Sequence, residues 1–378
     1  MTNSRSLSIL LAAAVAAGAT STARAADAPP APKLFQVVEK IAPLPGVKAP
    51  AEKDLQGYLL VYFKDETHSI YFATSPDGYT FTDVNGAQPI LLGRDLAEQK
   101  GVRDPHIMRG PDNGFYLAMT DLHVNGLRAG YRTNQWERPA GEYEWGNNRA
   151  LVFMKSYDLI HWTHSIVRID KLFPDFGDYG CAWAPETIID PANNQLMVYY
   201  TTRIRTGPNF MVYAYADDDF TKLATMPKQL FTYPKEKINT IDGDITKVGD
   251  KYHFFYCAHD KPGSLRQAVS DKINEGYVCD PQKVDPETVA CEAPNLWRRQ
   301  GTDTYVLMYD VFGATPNNMG FAETTDFVNF KNIGRFNEGD SPMKTTNFSG
   351  PKHGAVMSIT LDEIHRLTSY FVSPAQRQ

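Results

Sequence analysis

The chain has 378 residues, 42% of them hydrophobic and 12% aromatic, and a formal charge of −6. That apolar share is enough for a globular core. An acidic balance with no basic run excludes nucleic acid and anionic membrane surfaces as natural partners.

The N-terminal stretch "MTNSRSLSILLAAAVAAGATSTARA" has a basic residue at Arg5, an apolar run over residues 7–17, and small residues ending Ala23-Arg24-Ala25. This pattern predicts a secretory signal peptide over residues 1–25, with an apolar core too short to span a bilayer. "ADAPPAPK" then opens a Pro/Ala-rich linker and lead-in over residues 26–50, and residues 51–378 form the body. No later segment is apolar enough to cross a membrane, so the protein is expected to be secreted or periplasmic. The cysteines Cys181, Cys257, Cys279 and Cys291 show no C-x-x-C spacing and read as mostly buried small apolar residues.

From residue 58 onward one unit repeats: a strand, a second strand, a turn holding an acid, then an aromatic. It appears as "YLLVYF…SIYFATSPDGYTF", "FYLAMT…ALVFMKSYDLIHW", "LMVYYT…FMVYAYADDDFTKL", "YHFFYC…LRQAVSDKINEGY" and "YVLMYDVFG…MGFAETTDFVNF". The turn acids Asp77, Asp158, Asp218, Asp271 and Asp326 lie 81, 60, 53 and 55 residues apart. β-Branched and aromatic enrichment marks strands, and long helical periodicity is nearly absent. Five antiparallel units at this spacing, none able to bury both its faces alone, predict an all-β, five-bladed β-propeller.

A second motif precedes every unit but the first: "RDPHI" at 103, "WAPETI" at 183, "IDGDI" at 241, "CEAPN" at 291, with a last copy "KHGAV" at 352. These read as the innermost strands. The last has no hairpin after it and the first hairpin has no inner strand before it, so residues 353–358 are expected to pair with the N-terminal strands of 58–82 and close the ring. In register, the motif starts are Asp104, Trp183, Asp242, Glu292 and His353. One Asp-Pro is usually only a turn. Three acids at matched positions around one axis have a chemistry of their own. Cleaving a glycosidic bond needs one protonated carboxyl for the leaving oxygen and one ionised carboxylate for water or for attack. An aromatic at the rim offers sugar rings a face to stack on.

The ordered set Asp-Pro, Trp-Ala-Pro-acid, Ile-Asp-x, Glu-x-Pro and His-Gly resembles glycoside hydrolase family 43, over roughly residues 57–360. The resemblance implies an inverting hydrolase of arabinofuranosides, xylosides and related glycans, with Asp104 as general base, Glu292 as general acid and Asp242 as the acid that raises the pKa of Glu292. Asp244 stands beside Asp242 as an alternative, since side-chain direction in a strand repeats every two residues. The resemblance also implies that Trp183 walls the sugar pocket. It gives His353 the place of an axial histidine facing a water-coordinated Ca2+, and no cofactor is required otherwise. His106 follows Asp-Pro and is a candidate for contact with the sugar. Arg103 reads as a brace of its blade, and Glu186 as a partner for a sugar hydroxyl or a neighbouring blade. Two other readings are a carbohydrate-binding propeller without turnover and a fructan- or sucrose-cleaving relative. The latter needs an early Asn-Asp-Pro-Asn, and the only early acids, in "YFKDETH" at 62–68, fall in an expected outer strand. The insertion at 121–149 reads either as a loop that shapes the pocket or as one that packs blade to blade.

Overall fold

A computed structural model describes residues 33–131, 148–260 and 263–371. The signal-peptide segment and most of the 121–149 insertion lie outside the described residues. The strands form five sheets, one after another along the chain. The inner strands are Val102–Arg109, Tyr179–Asp190, Thr240–Val248, Glu292–Arg298 and Lys352–Ile359, and each leads antiparallel neighbours outward. Each inner strand packs beside the next, and the last beside the first. Lys352–Ile359 pairs antiparallel with Gly57–Lys64, so the fifth blade is built from both ends of the described chain.

Strand sequences here are apolar almost throughout because each blade is covered on both faces. In "GYLLVYFK" (57–64), Leu59, Val61 and Phe63 join a core with Val102, Leu117 and Trp162 of the first blade. Their neighbours Tyr58, Leu60 and Tyr62 turn the other way, onto Trp297, Val306 and Phe321 of the fourth. Period-two alternation thus sorts one strand between two cores. The same sorting at every blade interface yields five separate clusters rather than one centre. A fully buried Leu or Phe in them contributes about 1.5–3 kcal/mol.

The turn acids follow the repeat in three blades. Asp77, Asp158 and Asp326 each accept two backbone N–H groups through Oδ1, tying the turn down. In the second blade this task falls to Asp217, one residue before the expected Asp218. In the third, Asp271 instead pairs with Lys251.

The ends of the described chain depart from the sequence expectation. Gln36–Val37 adds a parallel strand to the outer edge of the first blade, with Phe35 buried beneath it. The lead-in is therefore part of the body. An unexpected helix, Leu361–Phe371, packs on the same corner, its Tyr370 hydroxyl donating to the Leu34 carbonyl at 2.9 Å. Thr360 and Glu363 cap it reciprocally, and Glu363 also takes both arms of Arg109 at 3.0 and 2.7 Å. The four cysteines are free thiols.

Candidate active site

Every inner strand carries one extra residue at the same place. Its pairing slips between Arg103 and His106, Trp183 and Glu186, Ile241 and Asp244, Glu292 and Asn295, and Lys352 and Ala355. In four strands the first inserted residue is left-handed: Asp104 (φ 50°), Ala184 (45°), Asp242 (53°) and Ala293 (58°). Asp adopts this conformation readily, whereas each Ala costs roughly 1–2 kcal/mol. The next residue is Pro105, Pro185, Gly243, Pro294 or Gly354. Where it is glycine the neighbouring chain has closed in, and a Cβ on Gly354 would lie 2.1 Å from the Val61 carbonyl oxygen.

These bulges correct the register read from the sequence. One level of the axis holds Asp104, Ala184, Asp242, Ala293 and His353. The level before it holds Arg103, Trp183, Ile241, Glu292 and Lys352. The five expected residues are thus spread over two adjacent levels, because Trp183 and Glu292 precede the bulge while Asp104, Asp242 and His353 lie within it. A bulge also breaks alternation. Arg103 therefore reaches the same centre as Asp104, its Nε 3.9 Å from Asp104 Oδ1, although alternation had sent it away as a brace.

His353 ties the acids together. Its Nδ1 lies 3.3 Å from Asp104 Oδ1 and 3.9 Å from Asp242 Oδ2. Burial opposes the charge on this imidazole, but Asp104 and Asp242 outweigh it and raise the pKa to about 9. Burial would likewise raise Asp104. The His353 charge and hydrogen bond, Arg103 and the Thr120 hydroxyl (2.8 Å) hold it at about 2 instead. Glu292 meets the opposite balance. Burial and then the Asp242 charge push it up to about 7, against the pull of Lys352, His353 and Arg103. Asp242 is also raised, by burial above all. Asp104 and Glu292 nevertheless keep partial exposure.

Around this centre lies a charge network that the motifs did not announce. Asp310, opposite Glu292 on the adjoining strand, is fully buried, and burial with the Glu292 charge raises its pKa. Its Oδ2 is 3.4 Å from Lys352 Nζ. Lys352 also meets Asp65 at 3.4 Å, and Asp65 takes Arg103 at 2.9 Å. Asp65 had been assigned to an outer strand. It lies instead at the end of the strand next to the innermost one, Gly57–Lys64. Five carboxyls (Asp65, Asp104, Asp242, Glu292, Asp310) thus face three cations (Arg103, Lys352, His353). Near-neutrality in a low dielectric asks two of the acids to keep protons.

One turn deeper, the residue after each bulge fastens its blade to the next. His106 Nδ1 accepts from the Thr187 N–H at 3.2 Å, and Asp244 Oδ2 from the Leu296 N–H at 2.6 Å. Asn295 Oδ1 accepts from the Val356 N–H at 2.8 Å. Glu186 takes its share indirectly: the Ile245 N–H donates to the Tyr199 hydroxyl, which donates to Glu186. Burial and the Asp244 charge push Glu186 well above the usual carboxyl range, and burial raises Asp244 itself to about 7. Asp244, the alternative to Asp242, is thereby engaged between blades, while Asp242 faces His353. His106, the candidate for sugar contact, is buried with Nδ1 engaged to Thr187. Trp183 stays at the axis, 9% exposed, with the Arg203 guanidinium 5.1 Å from its ring centre.

Where the resemblance sets a water-coordinated Ca2+ before His353, the Nδ1 of that residue faces the carboxylates of Asp104 and Asp242. Among the described residues no group of three or more His, Cys, Asp or Glu side chains could hold a metal ion.

A family model described as "Probable glycosyl hydrolase domain", related to glycosyl hydrolase family 43, matches residues 53–365. The chain belongs to that family. An alpha-L-arabinofuranosidase of Bifidobacterium longum subsp. longum is 23% identical over 224 residues, which are 53% of this chain and 19% of that protein. The chain thus matches only about a fifth of the length of this curated relative. Among solved structures, a xylan beta-1,4-xylosidase of Bacillus halodurans C-125 is similar with a TM-score of 0.51 at 11% identity, over 85% of this chain and 59% of that one. An endo-1,4-beta-xylanase of Bacteroides thetaiotaomicron VPI-5482 is similar with a TM-score of 0.50 at 11% identity, over 74% and 91%. Both likenesses are of fold, and they agree with the five-bladed propeller expected for this glycosyl hydrolase family.

Proposed function

We propose that the protein is an exported, inverting glycoside hydrolase that removes terminal α-L-arabinofuranosyl or β-D-xylosyl units from an oligosaccharide or polysaccharide. The arrangement that carries this reading is the set of acids around His353 at the axis, where His353 holds Asp104 at about 2 and burial with the Asp242 charge raises Glu292 to about 7. In this mechanism Asp104 takes a proton from water as its oxygen attacks the anomeric carbon. Glu292 gives a proton to the departing glycosidic oxygen as that bond breaks. The products are the free sugar and the shortened alcohol, and solvent returns the proton from Asp104 to Glu292. Asp242 keeps Glu292 protonated, and His353 keeps Asp104 ionised and aimed. The sequence likeness to an arabinofuranosidase supports a pentose substrate, and the signal-like residues 1–25 support export.

The test uses para-nitrophenyl α-L-arabinofuranoside and β-D-xyloside, with the first-formed sugar followed by proton NMR. Turnover with the anomeric configuration inverted is the expected result. Silence on both, or retention, would overturn the reading.

The same charges set a pH profile. The kcat/KM value reports the free enzyme's ionisations, so it should fall as pH rises through about 7 and Glu292 loses its proton. No matching fall is expected until far into acid, because Asp104 stays ionised down to about 2. Asp310→Asn removes a like charge beside Glu292 and takes from Lys352 one of its two carboxylate partners. Both changes favour the ionised glutamate, so the alkaline limb should move to lower pH. A limb that stays put or moves upward would show that Asp310 does not tune Glu292.

A further inference from the structure

The residues opposite the start of each bulge form a second ring, one strand out from the axis. Pairing sets Thr120 against Arg103, Thr201 against Trp183, Cys257 against Ile241, Asp310 against Glu292 and Phe63 against Lys352. All five are fully buried. Their chemistries differ, yet each reaches the inner strand of the following blade, at its bulge or up to two residues before it. Phe63 lies under the Arg103 guanidinium, 4.6 Å from its ring centre, and the Cys257 thiol donates to the Cys291 carbonyl at 3.3 Å. Asp310 meets Lys352. The two threonines take the N–H of the bulged residue itself, Thr120 from Ala184 at 2.8 Å and Thr201 from Asp242 at 3.0 Å.

Thr201 is thus the member of this ring that holds an acid by its backbone. Asp242 is buried and left-handed, with φ 53°. A bulged residue leaves the ladder, so its buried N–H needs another acceptor. The Thr201 hydroxyl supplies it and sends its own proton to the Met211 sulfur at 3.3 Å, which keeps a lone pair turned to Asp242. On the other side of Asp242 the chain is clamped. A Cβ on Gly243 would lie 2.3 Å from Phe254 Cε2 and 2.9 Å from Met211 Cε. With the N–H held and the next residue packed, the direction of the Asp242 Cα–Cβ bond is fixed. That direction brings Oδ2 to 3.9 Å from His353 Nδ1 and lets the carboxylate accept from the N–H of Ala293, the residue after Glu292.

We propose that Thr201 is a positioning residue, which fixes the left-handed turn at Asp242 and so aims that carboxylate at His353 and the Glu292 strand. This rests on the hydrolase reading above, in which Asp242 serves the general acid. Asp104 is held separately, by Thr120 and His353. Loss of the Thr201 hydroxyl should therefore weaken proton donation and spare the activation of water. The defect should appear where the leaving oxygen needs a proton.

Thr201→Val removes the hydroxyl and keeps the shape, Thr201→Ser keeps the hydroxyl, and Met211→Leu is a volume-conserving change that takes away the acceptor orienting it. Each would be compared with wild type on para-nitrophenyl β-D-xyloside and xylobiose, or on the arabinofuranoside and arabinobiose if arabinose is the sugar released. For Thr201→Val the expected result is a kcat lower by ~10-fold or more on the disaccharide, with KM and the aryl glycoside within about twofold of wild type. Thr201→Ser should restore the disaccharide rate. Equal losses on both substrates, no loss on either, or a serine variant as impaired as the valine one would overturn the role of Thr201. If the valine variant does not fold, Met211→Leu decides: a loss confined to the disaccharide supports the role, and any other pattern overturns it. A wild type silent on both aryl glycosides would instead sink the hydrolase reading itself, and this proposal with it.

Discussion

Asp104→Asn is expected to lower turnover by ~10²–10⁴-fold on every glycoside, activated or not, because general-base assistance is worth about that much and water needs it whatever leaves. Asparagine keeps the size of the side chain and can still accept from Thr120, whose oxygen also takes the Ala184 N–H of the next blade at 2.8 Å. The left-handed backbone at this position suits asparagine as well as aspartate. The fold should therefore survive, which circular dichroism and an unchanged sheet spectrum would check. The site would lose its most acidic carboxylate, and with it the main partner holding His353 charged. The alkaline limb set by Glu292 should persist in the residual activity, since that group is raised chiefly by burial and Asp242. Residual activity within tenfold of wild type would remove Asp104 from the role of base.

The propeller was legible because a repeated unit betrays itself wherever its parts do the same work. Each blade needs strands apolar on both faces, and strands such as Gly57–Lys64 show it. The acids of the axis were legible for the same reason, as departures from a repeat. What period-two reasoning could not see was the bulge. It inserts one residue in every inner strand, brings Arg103 in beside Asp104, and sends Asp242 and Asp244 to different partners. The x-Pro or x-Gly step at each bulge was a usable signal: aligned on Pro105, Pro185, Gly243, Pro294 and Gly354, the two levels separate at once. Asp65 and Asp310 had no such signal. They are ordinary residues in their own segments, and only the closing of the ring brings residues 65, 103, 310 and 352 within ion-pair distance. The C-terminal helix had a readable start in Thr360-Leu361-Asp362-Glu363, a capping box on a helix too short for its periodicity to stand out.

Glu292→Gln is the substitution that separates a proton donor from a residue that merely begins a strand. The side chain stands at the start of its strand, partly exposed and ahead of the left-handed Ala293. Glutamine keeps the volume and removes one member of a crowded set of acids, so stability should hold or rise slightly. Chemistry should not. Without a proton to offer, the leaving oxygen of a natural glycan must depart as an alkoxide, and the loss should reach ~10²-fold or more. A nitrophenolate needs little protonation, so the aryl glycoside of the same sugar should suffer far less. The alkaline limb near pH 7 should also vanish from its profile, because the group that titrates there is gone. Both signatures are required together. Near-wild-type turnover of an unactivated glycan, or an alkaline limb left in place, would mean that another group carries the proton, and Asp310, the buried carboxyl facing Glu292 across the strand pair, would be the next to replace.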